Sequence, residues 1–154
     1  MPILTAADYE ALAELRYEIR KFLRFSEQVA RRAGLEPRQH QLMLALKGLP
    51  DGVRPRVSEL AERLQIQHHS TVELLNRLAA NGFVRRQRGG QDRREVLLSL
   101  TPKGEKTLRE LSLHHRQELS TAGPALIAAL RRAMGSGRRD EAAPRSAGGI
   151  RQRS

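Results

Sequence analysis

Two groups of residues in this sequence have the types and spacing to do chemistry. His68, His69 and Glu73 fall together, with His69 and Glu73 four positions apart, the separation that sets two side chains on one helix face. Imidazole and carboxylate are zinc ligands, but a zinc site needs further His or Cys, and nothing nearby supplies them. His114, His115 and Glu118 form a similar set that is also incomplete. It reads as a surface pair that would make association pH-sensitive. The second group is cationic. Arg85, Arg86, Arg88, Arg93 and Arg94 crowd one short stretch, against Asp92 and Glu95. Guanidinium forks bind phosphate oxygens and enter narrow, electronegative grooves. No nucleophile–base triad, phosphate-cradling glycine loop or pair of acid–base carboxylates can be placed. No enzyme, cofactor or metal is therefore expected.

Composition agrees with the second group. The 154 residues carry a formal net charge of +11, with a pI near 11.3. Such a surface attracts polyanions, nucleic acid first and an anionic membrane second. No apolar run approaches the roughly 20 residues that span a bilayer, so no membrane role is expected. The start, "MPILTAADYE", lacks the basic and apolar regions of a signal peptide, and cytoplasmic location is the default. The absence of cysteine excludes disulfides and thiolate ligands. Aromatics are 3%, too few for a base-stacking platform of the kind that binds single strands.

The elements that must position the arginines follow from periodicity. Leu12, Leu15, Ile19, Phe22, Ser26, Val29 and Ala33 alternate in threes and fours, which predicts one long helix stopped by Gly34. That helix either packs only on its own domain or also lines a seam with a second copy. A second helix fits "PRQHQLMLALKGL", with Pro37 near its start and a stop at Pro50 and Gly52. A short third helix opens with Ser58 as N-cap and buries Leu60, Ala61 and Leu64. A fourth fits "HHSTVELLNRLAANG", burying Thr71, Leu74, Leu75 and Leu78 and closing at Asn81-Gly82. "FVRRQR" and "REVLLSL" read as a hairpin turned by "GGQD", with Val96, Leu98 and Leu100 pointing one way. Thr101-Pro102 starts a fifth helix through Leu108, Leu111, His115, Leu119 and Ala122. Gly123-Pro124 is expected to break it, leaving "ALIAALRRAM" as a sixth helix. From Gly135 the chain turns to Gly, Ser and Arg with one large apolar residue, Ile150, which predicts a disordered basic tail.

Short helices followed by a hairpin make a winged helix-turn-helix. The major groove of B-DNA admits one helix, provided its inner face is anchored and its outer face is polar. With Leu74, Leu75 and Leu78 inward, His68, His69, Val72, Glu73, Asn76 and Arg77 face outward. Glu73 could accept from a cytosine amino group, Asn76 could pair with adenine, and Arg77 suits phosphate. A merely solvated face is the competing reading for each. An arginine at the wing tip suits the minor groove, and Asp92 makes sense if it braces a neighbouring guanidinium before DNA arrives.

The run "LAERLQIQHHSTVELLNRLAANGFVRRQRGGQDRREVLLSLTPKGEKTL" resembles the core of MarR-type (multiple antibiotic resistance) transcriptional regulators. The matching points are Leu60-Ala61, Leu78 with Gly82, Asp92-x-Arg94, Leu100-Thr101 and Gly104, and the helix order covers residues from about 5 to 134. The departures are Gly89-Gly90-Gln91 at the wing tip, Gln67 before the fourth helix, and the His68-His69 pair. They bear on which DNA sequence is read rather than on the binding mode. The resemblance implies a homodimer joined through the first, fifth and sixth helices, placing Leu12, Leu15, Ile19, Phe22, Leu111, His115, Leu119, Leu126 and Leu130 at the interface. It implies double-stranded DNA as partner, met by Ser58, His68, His69, Ser70, Glu73, Asn76, Arg77, Arg86, Arg88, Asp92, Arg93 and Arg94. Arg94 would reach the minor groove, with Asp92 as its brace. It further implies a pocket for an anionic aromatic effector, with Tyr17, Phe25 and His40 as lining candidates.

The expectation is thus a mainly α (α+β) winged helix-turn-helix over residues 1–134, followed by a tail over 135–154. Long dimerisation helices (5–33 and 102–134) would flank a DNA-binding lobe (37–101). The expected function is a homodimeric, sequence-specific transcriptional regulator, a ligand-responsive repressor on a pseudo-palindromic operator. Its rivals are a nonspecific architectural DNA binder and a winged-helix module that binds another protein.

Overall fold

The computed structural model describes residues 3–89, 92 and 94–135. Its elements run α1 (Ala6–Arg32), α2 (Pro37–Lys47), α3 (Val57–Leu64), α4 (His68–Ala80), β1 (Val84–Arg88), β2 (Val96–Leu100) and α5 (Pro102–Gly135). The chain divides into two compact units, Lys21–Thr121 and the pair of segments Met1–Arg20 with Ala122–Ser154. The larger unit holds α2, α3, α4 and the hairpin, and both candidate chemistries.

Three helix ends in this unit use the same device. Leu35 N–H donates to the Ala30 carbonyl at 3.0 Å, Ile66 to Ala61 at 3.2 Å and Phe83 to Leu78 at 2.9 Å. Each is the six-to-one bond that closes a helix through a left-handed residue. Gly34 and Gly82 take that conformation as glycines, with φ of 79° and 76°, whereas Gln65 takes it at φ 53° despite its side chain. The Gln65 amide donates to the Glu62 carbonyl at 2.7 Å, which offsets part of the steric cost. These closures turn Leu42, Met43, Leu60, Leu75 and Leu78 onto one core, all nearly or fully buried.

β1 and β2 pair antiparallel, with Val84 opposite Leu100, Arg86 opposite Leu98 and Arg88 opposite Val96. Leu98 is buried and Leu100 partly so, but Val96 is exposed, so two of the three expected anchors hold the hairpin down. Leu98 N–H donates to the Pro55 carbonyl at 2.9 Å, which adds the segment before α3 to the hairpin edge. That contact explains a difference from expectation. Arg56, not Ser58, is the N-cap of α3, because the chain is held extended through Pro55 and turns helical directly afterwards. Ser58 lies inside the first turn instead.

The expected break at Gly123-Pro124 does not occur. α5 runs unbroken from Pro102 to Gly135 with Pro124 inside it, and Ala125 to Met134 belong to the same helix. Proline removes one donor and crowds the carbonyl four residues back, here that of Ser120. Pro124 and Ser120 are both exposed, so that carbonyl can turn to solvent, and the alanine- and leucine-rich segment beyond favours continuation. Gly135, the expected start of the tail, is still helical. Residues 136–154 lie outside the described residues.

Candidate nucleic-acid interface

α4 presents two chemically distinct faces. Thr71, Leu74, Leu75 and Leu78 are buried, and the Thr71 hydroxyl is satisfied by the Gln67 carbonyl at 3.1 Å. On the other side His68, His69, Glu73, Asn76 and Arg77 are exposed, with Ser70 and Val72 half-buried. Gln67 precedes the helix in an extended conformation and makes no side-chain cap bond, which leaves the first-turn N–H groups free to meet an acceptor. Ser58 is exposed on α3, as are Arg85, Arg86 and Arg88 on β1 and Asp92 and Arg94 beyond it. Arg93, like Gly90 and Gln91, lies outside the described residues.

Several exposed polar groups are held by partners on other elements. The Arg86 guanidinium donates to Asn76 Oδ1, which links the hairpin to α4. Arg77 pairs with Glu36, the N-cap residue of α2, at 3.1 Å. Arg77, expected to meet phosphate, is thus engaged with a carboxylate here. Asp92 does restrain Arg94, but through the main chain: its Oδ1 accepts the Arg94 backbone N–H at 2.9 Å. Among the described residues, the Asp92 side chain thus meets the Arg94 main chain and fixes the turn backbone.

Beside the hairpin, the carboxylate that meets guanidinium groups is Glu95, 11% exposed, whose two oxygens lie 3.0 Å from Arg54 and 2.5 Å from Arg56. In the sequence Glu95 stands only as a countercharge to the hairpin arginines, and nothing there ties it to Arg54 or Arg56. The signal lay in "RPR", since proline holds its neighbours extended and lets such a segment lie along a hairpin edge.

The start of α5 is fastened to the turn between α4 and β1. Thr101 Oγ1 accepts the Gly104 N–H at 3.1 Å, the expected cap, and donates to the Gly82 carbonyl at 2.5 Å. Lys103 donates to the Asn81 carbonyl at 2.7 Å and sits 4.4 Å from the centre of the Phe83 ring. A Cβ on Gly104 would run into the Phe83 carbonyl oxygen, so glycine is what allows this approach.

A second polar cluster lies inside the larger unit. His115 on α5 bonds the Leu111 carbonyl through Nδ1 at 2.6 Å and Ser26 Oγ on α1 through Nε2 at 2.8 Å. Nδ1 faces a carbonyl oxygen and so donates, whereas Nε2 meets a hydroxyl, which can either donate or accept. Phe22, Phe25 and His40 surround that ring, with His40 at a centroid distance of 4.9 Å. His40 is 3% exposed, and its Nδ1 has no hydrogen-bond partner among the described residues. Burial first, and His115 beside it second, lower the His40 pKa from 6.5 to about 4. The structure therefore gathers Phe25 and His40 but packs them tightly, while Tyr17 is exposed on α1. Leu111, at 3% exposure, belongs to the core, and Phe22 and His115 pack within the chain. Of the other residues expected at a subunit interface, Leu12, Ile19, Leu119 and Leu130 are exposed, and Leu15 and Leu126 are half-buried.

Among the described residues no three His, Cys, Asp or Glu side chains gather as metal ligands, and no helix is long and apolar enough to cross a membrane. A cleft of about 480 Å³ lies between α2 and α5, with Leu44, Leu108 and Ser112 beside Lys106, Arg109 and the ion-paired Lys47 and Glu105.

Residues 33–95 match the model of the MarR family. A curated protein, the uncharacterized HTH-type transcriptional regulator YfiV of Bacillus subtilis, is 39% identical over 56 residues, which is 36% of this chain and 35% of that protein. The match thus spans about a third of the curated relative's length. Among solved structures, AbsC of Streptomyces coelicolor, a MarR family transcriptional regulator, superposes with a TM-score of 0.70 at 22% identity, covering 87% of this chain and 93% of that one. The apo form of MarR from E. coli gives 0.61 at 18%, covering 90% and 100%. A point mutant of MepR from S. aureus, solved bound to an oligodeoxyribonucleotide, gives 0.59 at 20%, covering 87% and 99%. At these identities the structures establish the winged-helix fold.

Proposed function

We propose that this chain, whose residues 33–95 match the model of the MarR family, is a member of that family and a homodimeric regulator of transcription that reads double-stranded DNA. The observation that carries the reading is the two-faced α4. Its inner face is locked into the core by Leu74, Leu75 and Leu78, and its outer polar face is tied to the basic hairpin through Asn76 and Arg86. An anchored helix with a polar outer face is what the major groove requires, and a basic wing beside it suits the sugar-phosphate rail. The net charge of +11 supplies the long-range attraction.

Dimerisation is supported by large apolar side chains left open to solvent on α1 and α5, among them Leu12 at 47%, Ile19 at 40% and Leu130 at 45% exposure. A second copy would cover them. Two-fold symmetry then implies a pseudo-palindromic site with half-sites about one helical turn apart. Repression follows if that site overlaps a promoter. Effector binding is better matched by the cleft between α2 and α5 than by the packed Phe25 and His40, because Lys106 and Arg109 flank an apolar floor there, while Glu105 in the same lining is paired with Lys47 at 2.8 Å. That chemistry suits an anionic, partly apolar ligand.

A salt series tests the DNA reading. Affinity for duplex DNA should fall by roughly 0.9 log units per log unit of salt for each phosphate neutralised. A flat response would favour the rival reading, a winged-helix module that binds another protein.

A further inference from the structure

We propose that Glu95 is the positioning residue of the wing, fixing where the hairpin tip, and Arg94 with it, is presented to DNA. The inference rests on the DNA-binding reading above. Net charge alone argues against a carboxylate here, since an acid beside phosphate repels it. This acid, however, is turned inward. Its side chain is 11% exposed and shared as ion pairs between Arg54 at 3.0 Å and Arg56 at 2.5 Å, both on the segment between α2 and α3; the Arg56 contact is electrostatic, since the buried Oε1 has no hydrogen-bond partner among the described residues.

The main chain around Glu95 is tied as well. Its carbonyl accepts the Gly89 N–H at 2.7 Å, and its own N–H donates to the Asp92 carbonyl at 3.1 Å. A Cβ on Gly89 would stand 2.8 Å from Glu95 Oε2, so the missing side chain at 89 is what lets the carboxylate lie across the base of the hairpin. Three residues further on, the Leu98 N–H reaches the Pro55 carbonyl at 2.9 Å. On the tip side, Asp92 restrains the Arg94 backbone. Glu95 thus joins the two strands and the α2–α3 segment at the point where the hairpin leaves the core. A two-stranded hairpin has little stability alone, and such a clamp gives Arg94, next to Glu95, a defined position.

The sign of one substitution separates positioning from charge. Glu95→Gln keeps the size and removes a negative charge, freeing Arg54 and Arg56. If charge alone mattered, the variant would bind duplex DNA more tightly and with a steeper salt dependence. If Glu95 positions the wing, affinity falls about fivefold, the salt dependence is no steeper, and the melting temperature stays within roughly 3 °C of the parent. The probe is the best duplex recovered from a random-sequence library, beside an unselected duplex. Equal or tighter binding overturns the proposal.

Amide hydrogen exchange reads the clamp without DNA. Both Glu95→Gln and the double variant Arg54→Gln/Arg56→Gln should exchange the Leu98 amide about tenfold faster, with the amides of α4 unchanged. Unaltered exchange at Leu98 overturns the proposal too. If the parent chain binds no duplex, the DNA reading fails by itself, and exchange alone decides whether Glu95 holds the wing.

Discussion

Asn76 on the exposed face of α4 and Arg86 on β1 are joined by a hydrogen bond from guanidinium to side-chain carbonyl. The bond makes α4 and the hairpin one continuous surface, and on the proposed reading the two meet DNA together rather than as independent contacts. A double-mutant cycle measures the coupling. Asn76→Ala and Arg86→Ala should each weaken duplex binding, and the double variant should lose about 1 kcal/mol less than the sum. Losses that add to within about 0.3 kcal/mol would show that the bridge does not couple the two elements.

Gly104→Ala should be among the most damaging small substitutions in the chain. The new methyl would press on the Phe83 carbonyl, and the first turn of α5 would have to move off the turn that follows α4. A loss of roughly 2–3 kcal/mol is expected, read as a fall in melting temperature of about 5–15 °C. Gly123→Ala, where a Cβ meets nothing within 4 Å, is the control and should leave the melting temperature unchanged or raise it. Equal effects would remove the close approach as the reason for glycine at 104.

Acid should loosen the larger unit through His40. Its folded pKa, near 4, lies below the unfolded value of 6.5, so the folded state favours the neutral ring. Stability linked to this group is full above pH 6.5 and is lost as pH falls from there toward 4. Roughly 2 kcal/mol should disappear between about pH 7.5 and 5, and His40→Gln should flatten that slope. Chemical denaturation across this range checks it, and an identical slope in the variant would clear His40.

The contrast between α4 and the wing shows what a sequence exposes. Leu74, Leu75 and Leu78, the Asn81-Gly82 stop and the Thr101 cap are local patterns, and each is where periodicity and capping put it. The Glu95 clamp, the Arg77–Glu36 pair and the His40–His115 contact join residues far apart in the chain, and no local pattern announces them. Ser58 and Pro124 mark a different limit. At Ser58 the hairpin edge holds the chain and moves the helix start, and at Pro124 an exposed helix absorbs one lost bond. In both places packing and solvent outweighed a local preference that was read correctly. The aspartate of the wing shows both sides: its role as a restraint on Arg94 was legible, whereas the atom it restrains was not.

Arg94→Ala should cost more DNA affinity than Arg151→Ala. Arg94 is exposed on the wing beside a restrained backbone, and Arg151→Ala is the control that removes the same charge far from the wing in sequence. The expected losses are about tenfold for Arg94 and under about twofold for Arg151, measured by duplex titration at fixed salt. Equal losses would leave the wing with no special part in binding.

Footprinting of the full chain on the DNA upstream of its own coding sequence tests the central claim most directly. The account predicts a bounded protected site with two symmetric halves about one helical turn apart, blurred by substitution of Asn76 or Glu73. Uniform protection with no boundary would contradict it, and would leave a basic chain that coats DNA without reading it.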